Sequence, residues 1–334
     1  MKVALLFNER PAGISSVPDD MFEEYDSLET IREIAHALCG LRVEVEPVVA
    51  DRRLPWRLEE GRYDFAFNIA EGPLTLSGQA RRCREAIPAA VCELLSVPYT
   101  GSDALTLTVT LDKAMARRVA SAEVSVSRAV LLQSEADEHQ IADLQFPAIV
   151  KPNDEGSSKG IRKCSFASDA SEAVERARQL MTFYRCPVLV EEFLPGPEVT
   201  VAVAGNLPDA RVLGMMEIAP ADDSRPFIYS LEVRRDWRRR VVYHIPPRLD
   251  ASTQDCLRSS ALAAYRLLGC RDLARMDFRL DSRGRPCFLE CNALPGLNPE
   301  YGDVAILSRK TLPYEKLVQG VLVDAARRTG VRLP

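Results

Sequence analysis

The sequence predicts a mixed α/β protein of three lobes: an N-terminal parallel α/β domain over residues 1–103, a central lobe over 104–187 and a C-terminal lobe over 188–334. Three observations carry that expectation. Short apolar runs alternate with amphipathic stretches through the first hundred residues. A strand-like run at 148–152 leads into a loop holding two glycines, two serines and a lysine, and two apolar runs near the C-terminus carry acidic residues on either side of a turn.

In the first lobe the spacing predicts strands over 3–7, 43–49 and 65–69 and helices over 28–38 and 86–95. A strand that feeds a helix and then a further strand makes a parallel sheet. Asp26 and Glu29 are spaced to form a capping box at the start of the first helix. Turn-forming residues from Pro98 to Asp103 close the lobe. The second lobe opens with a helix containing Asp112 and Lys113, followed by the strand 148–152 and the loop 153–160; the third opens with a strand over 188–193. Beyond it come a strand over 199–203, an Arg-rich stretch over 234–240, a helix over 254–268 and the acidic hairpin.

At 334 residues the chain is too long for one small core. Its net charge of −5 argues against a nucleic-acid or anionic-membrane partner, because neither attracts an acidic protein. No apolar run reaches membrane-spanning length, and the apolar N-terminus stops at Phe7, too soon for a signal peptide; a cytoplasmic protein is expected. The nine cysteines form no CxxC pair, and Cys39, Cys92 and Cys270 sit among apolar neighbours, so reduced, buried thiols are expected. His36, His139 and His244 are far apart and leave little for a zinc site or a Ser-His-Asp mechanism.

The chemistry concentrates in the hairpin. Asp277 stands on one apolar strand, and Glu290 and Asn292 share a face of the next because strand side chains alternate. Three hard oxygen donors suit Mg²⁺, which takes few protein oxygens and fills its other positions with water and phosphate. Cys291 between the last two should point to the opposite face and pack. The loop Asp154-Glu155-Gly156-Ser157-Ser158-Lys159-Gly160 lets backbone N–H groups approach an anion, with the serine hydroxyls as further donors. It lacks the spacing of a Walker A loop, and a plain turn is the other reading of it.

These residues resemble the ATP-grasp superfamily and, over nearly the full length, the D-alanine:D-alanine ligases. The phrases that match are Ile87-Pro88-Ala89 through Val97 to Asp103, Leu111-Asp112-Lys113, Ile149 to Pro152 with Glu155 to Ser158, Glu191 to Glu198, Arg275-Met276-Asp277, and Glu290-Cys291-Asn292 through Pro295-Gly296. The resemblance implies an ATP-grasp fold behind an N-terminal parallel α/β domain. It implies ATP between the second and third lobes, with Lys113, Lys151, Glu155, Gly156, Ser157 and Ser158 at the phosphates. Glu191, Glu192 and the following backbone meet the adenine edge, Phe193 its face, and Glu198 the ribose. The resemblance also implies two Mg²⁺ ions, or Mn²⁺, held by Asp277, Glu290 and Asn292. Arg275, Gly296, Arg234 and Ser158 are the expected catalytic groups, Arg275 and the Gly296 N–H steadying an oxyanion. The implied reaction phosphorylates a carboxylate and lets an amine attack the acyl phosphate. A homodimer acting on small amino acids is the matching expectation.

The chain also departs from that pattern. Asn8-Glu9-Arg10-Pro11 replaces a glycine-rich first loop, which leaves Glu24, supported by Ser27, as candidate for the substrate's ammonium contact; an acidic helix cap is the alternative. Glu71 stands where a His-Gly phrase is usual and is a second candidate. Arg234 takes the place of a lysine and Arg235 that of a tyrosine, in a basic region with Arg225, Arg238, Arg239, Arg240 and Arg248 that otherwise reads as a solvated face. Tyr301 and Gly302 occupy the place of a Ser-Leu pair that grips the second substrate. The leading expectation is therefore an ADP-forming ligase joining two amino acids. The rivals are a specialised dipeptide or ring-closing ligase of natural-product synthesis and a non-catalytic ATP-binding module.

Overall fold

The computed structural model describes residues 1–9, 19–73, 82–222 and 226–334; Arg10, Pro11 and Arg225 lie outside them. In the first lobe β1 (Lys2–Phe7) is the middle strand of a parallel sheet, flanked by β2 (Glu44–Val49) and β3 (Phe65–Asn68), with α1 (Leu28–Cys39), α2 (Leu54–Gly61) and α3 (Ala86–Leu94) as connections. Helix α1 buries Ile31, Ile34, Ala37 and Leu38, a single stripe at helical spacing. Its start is capped by Ser27, which accepts the Thr30 N–H at 3.2 Å, and not by the expected Asp26–Glu29 box. Ser27 is the last residue in extended backbone, so its oxygen reaches the free N–H groups.

The expected helix around Asp112 is two helices, α4 (Ala104–Leu111) and α5 (Lys113–Ala120). Asp112 leaves helical geometry, ends the first and caps the second by accepting the Met115 N–H at 3.0 Å. That break places Lys113 at a helix start pointing inward. Both helices pack on the strand Pro286–Asn292 of the third lobe and share its core, although their sequence position assigns them to the second.

The central sheet is antiparallel, in the order β4 (Ala129–Leu132), β7 (Val188–Glu192), β5 (Ala148–Pro152), β6 (Phe166–Ala167), with α6 (Ala170–Tyr184) on one face. Strand β7, expected to open the third lobe, is hydrogen-bonded between β4 and β5 of the central sheet. A local apolar pattern specifies a strand but not its neighbours.

The third lobe is a five-stranded antiparallel sheet, β10–β9–β8–β11–β12, built from β8 (Glu198–Ala204), β9 (Arg211–Pro220), β10 (Val241–His244), β11 (Leu273–Leu280) and β12 (Pro286–Asn292). Short helices α7 (Leu231–Arg235) and α8 (Trp237–Arg240) precede β10; α9 (Ala251–Leu267) covers the sheet, and α10 (Asp303–Ser308) and α11 (Tyr314–Thr329) end the chain. Helix α11 returns to the first lobe, where Gln319 donates to the carbonyl of Ala37 at 2.8 Å and Leu317, Val318, Val321 and Leu322 join the core of α1. The first and third lobes thus share cores, while the central sheet keeps its own around Val150, Leu180 and Val190.

All nine cysteines are free. Cys291 faces Cys270 at 3.6 Å inside the core, as strand alternation requires, whereas Cys39 is exposed at the end of α1 against expectation. No helix among the described residues is long and apolar enough to cross a membrane.

Candidate active site

The central and C-terminal sheets face one another across a cleft of about 950 Å³. It gathers Lys113, Lys151, Glu155, Ser157, Ser158, Glu191, Glu192, Phe193, Glu198, Arg234, Arg275, Asp277 and Glu290, whereas Asn292, Gly296, Tyr301 and Gly302, also singled out by sequence, do not line it.

One end of the cleft is apolar and aromatic. Phe193, just after β7, packs edge-on against Phe166 and carries the Arg279 guanidinium 4.5 Å above its ring centre. Arg279 also reaches Glu198 at 3.2 Å. Burial pushes the Glu198 carboxyl up to about 7 while Arg279 pulls it down. The N–H groups of Glu192 and Phe193 are used by the carbonyls of Arg128 and Pro147, both at 2.9 Å. Leu194, which lines the cleft, supplies the first N–H without an acceptor among the described residues. Glu191 does not face outward; its carboxylate is buried between Lys151 at 2.7 Å and Arg117 at 2.9 Å, so it aims Lys151.

The other end is cationic. Lys113 lies 3.5 Å from Glu290 and donates to the carbonyl of Glu155; Lys151 stands beside it. Ser157 and Ser158 both have left-handed backbone, φ +53° and +58°, and neither N–H finds an acceptor among the described residues. The Ser158 hydroxyl is spent on the carbonyl of Tyr229 at 3.1 Å, so that residue offers its N–H rather than its oxygen. Arg234, on α7, closes over the loop by donating to the carbonyl of Ser157 at 2.8 Å. The Gly156 N–H is taken by Glu24, and the Glu155 carboxylate turns away from the cleft toward Arg84 and Lys159.

Between these ends lies the acidic hairpin. Asp277 pairs with Glu290 and Arg275 with Asn292 in the register of β11 and β12, and a bulge after Asp277 turns both Leu289 and Glu290 to the cleft. Thr200 donates to Asp277 at 2.8 Å, and Arg275 binds Asp277 at 2.8 Å and Asp303 at 2.9 Å. Asn292 accepts the Leu294 N–H at 3.0 Å and lines a smaller adjoining cavity of about 360 Å³ with Glu85 and Glu290. The donor set is two carboxylates and an amide oxygen with no sulfur or imidazole, which fits Mg²⁺.

The residues expected at the amino-acid end divide. Glu24 is buried with its oxygens on Arg84 at 2.9 and 3.0 Å, Lys159 at 2.7 Å and the Gly156 N–H at 2.8 Å, leaving no face for a substrate ammonium. Burial alone would raise its carboxyl, but Arg84 and Lys159 outweigh that and bring it down to about 2. Glu71 lies within 4.8 Å of both Glu24 and Glu85 and is held well above the usual carboxylate range by burial and by those two neighbours. Ser27 caps α1, and the Gly302 N–H is used by the carbonyl of Asn298 at 3.0 Å. Tyr301 is half exposed, and Gly296 is exposed with no protein acceptor for its N–H among the described residues.

Sequence reasoning missed Arg279, Asp303 and the Arg84–Glu85 pair. Arg279 had a signal: residues 275, 277 and 279 share one strand face. Arg84 and Glu85 had none, because they act only through partners far along the chain.

Two antiparallel sheets closing on a cleft, with acidic oxygens on one wall and lysines and a bare N–H loop on the other, are the machinery of an ATP-grasp ligase, which forms a carbon–nitrogen bond. Residues 118–323 match the family D-ala D-ala ligase C-terminus. The D-alanine--D-alanine ligase of Anaeromyxobacter sp. (strain Fw109-5) is 31% identical over 97% of each chain, and that of Gloeobacter violaceus is 33% identical over 91% of this chain and 95% of the relative. The crystal structure of D-alanine--D-alanine ligase from Bacillus anthracis superposes with a TM-score of 0.75 at 21% identity over 99% of each chain. The chain belongs to the D-alanine–D-alanine ligase family.

Proposed function

We propose that the chain uses Mg-ATP to join two small amino acids, with D-alanine or a close relative as the carboxylate donor. The observation that carries this reading is the meeting, in one cleft, of Asp277 and Glu290 with Lys113, Lys151 and the N–H groups of Ser157 and Ser158, which have no acceptor among the described residues. In the first step a substrate carboxylate oxygen attacks the γ-phosphorus and ADP leaves; in the second an amine nitrogen attacks the acyl carbon and phosphate leaves. Charge neutralisation and positioning do nearly all the work in such a transfer. Asp277, Glu290 and Asn292 are the residues that would hold Mg²⁺, which supplies charge neutralisation at the phosphates. Phe193 and Arg279 take the adenine face, and Glu198 the ribose hydroxyls.

Arg275, held between Asp277 and Asp303, and the exposed Gly296 N–H serve the oxyanion formed when the amine attacks. Because Glu24 is already neutralised, the substrate ammonium falls to Glu71 and Glu85, two buried carboxyls that burial and neighbouring carboxylates hold toward the neutral form and that a cation between them would return to the charged one; Arg84, 4.0 Å from Glu85, is at the limit of an ion pair. The test is phosphate release from ATP and MgCl₂ across a panel of D- and L-amino acids, singly and in pairs. Turnover that depends on D-alanine supports the reading; silence with D-alanine together with turnover on another amine and acid pair removes it.

A further inference from the structure

The loop that presents Ser157 and Ser158 is strained. Two successive non-glycine residues stand in left-handed backbone, which crowds Cβ against the following carbonyl oxygen, and such a conformation persists only where its surroundings hold it. The holders come from the first lobe. Each glycine that bounds the loop donates its N–H to a carboxylate of residues 19–26: Gly156 to Glu24 at 2.8 Å and Gly160 to Asp20 at 3.0 Å. Both carboxylates are themselves pinned. Glu24, its side chain 4% exposed, is gripped by Arg84 and Lys159; Asp20 is fully buried and accepts the Tyr184 hydroxyl at 2.6 Å. A Cβ at position 156 would lie 2.6 Å from the Glu24 oxygen, so glycine stands there for the carboxylate's sake. Lys159, although it sits in the loop, is 1% exposed and turned to Glu24 and Glu155.

We propose that Glu24 and Asp20 are positioning residues that hold the phosphate loop in its anion-binding shape before nucleotide arrives, so that the first lobe sets how tightly a triphosphate is gripped. The inference rests on reading the cleft as a nucleotide site and takes the place of a substrate contact for Glu24. It separates the two ends of the nucleotide: the adenine end is built from β7, β8 and β11 and touches neither carboxylate.

Titration calorimetry with two probes, Mg·AMPPNP and AMP, tests it on the full chain. In Glu24→Gln and Asp20→Asn the Kd for Mg·AMPPNP rises about tenfold or more, as the loss of a charge-assisted hydrogen bond requires, while the Kd for AMP stays within about twofold because AMP carries no β- or γ-phosphate. Hydrogen exchange in the same variants becomes faster at Gly156 and Gly160 and unchanged in β5. Unaltered Mg·AMPPNP affinity, or equal weakening of both probes, overturns the proposal; the second outcome also marks a variant that is merely misfolded. Wild-type protein that binds neither probe overturns the nucleotide reading itself, and this inference with it.

Discussion

Asp277 and Glu290 lie opposite one another in the register of β11 and β12, and each has a cation against it: Arg275 at 2.8 Å from the first and Lys113 at 3.5 Å from the second. Two carboxylates brought together in a buried cleft repel, and the cations offset that repulsion. The same pair is therefore available to a divalent ion at modest cost in fold stability.

Substituting either carboxylate separates those roles. Asp277→Asn and Glu290→Gln are each expected to lower ATP-dependent phosphate release by about 100-fold or more, since metal-borne charge stabilisation is worth several kcal/mol. Thermal melts of both variants should stay near the parent. Undiminished turnover in steady-state assays would remove the metal assignment.

At the aromatic end of the cleft, the proposed adenine site, Arg279 stacks on Phe193 and pairs with Glu198. Arg279→Met removes both contacts and is expected to raise the KM for ATP about tenfold, with kcat little changed. Initial-rate kinetics at saturating amino acid give the split; a fall in kcat at constant KM would assign Arg279 to the chemistry instead.

Stability should depend on pH through the acidic pair of the first lobe. The Glu85 carboxyl is pushed up to about 7 by burial, against the pull of Arg84. The folded state thus keeps a proton that the unfolded chain releases from about pH 4.3 upward. Stability therefore falls as pH rises from about 4.3 to about 7, with a slope of up to about 1.4 kcal/mol per pH unit. Glu24 has the opposite sign: lowered to about 2, it contributes stability above its unfolded pKa that is lost as pH falls toward 2. Urea denaturation at pH 5 and 7.5 should show the first slope, and Glu85→Gln should flatten it; a flat parent profile would refute the assignment.

Gly72 links Glu71 to the Arg84 turn. Its φ is +86°, and a Cβ there would lie 1.9 Å from the carbonyl oxygen of Arg84. Gly72→Ala is expected to destabilise by about 2 kcal/mol or more, read as a lower Tm, and a Tm equal to the parent's would show that this turn is free to move.

Strand alternation along residues 275–279 and 290–292 is a local property, so the acidic hairpin, its facing residues and the inward packing of Cys291 were all legible in the chain. So were the parallel first lobe and the glycine-bounded loop 154–160, because their apolar periods and glycines act over a few residues. The neighbour of a strand is not local: β7 read correctly as a strand and belongs to a different sheet from the one expected. Glu24 shows the same limit at the site. Its partners Arg84 and Lys159 lie 60 and 135 residues away, and only packing brings the three together. By itself the sequence determined which elements form and which oxygens and amines they carry, since those depend on short-range sterics and hydrophobic period. Tertiary structure alone decided which charges neutralise each other and which are left for a ligand, because burial and long-range pairing, not residue type, determine whether a carboxylate is already satisfied.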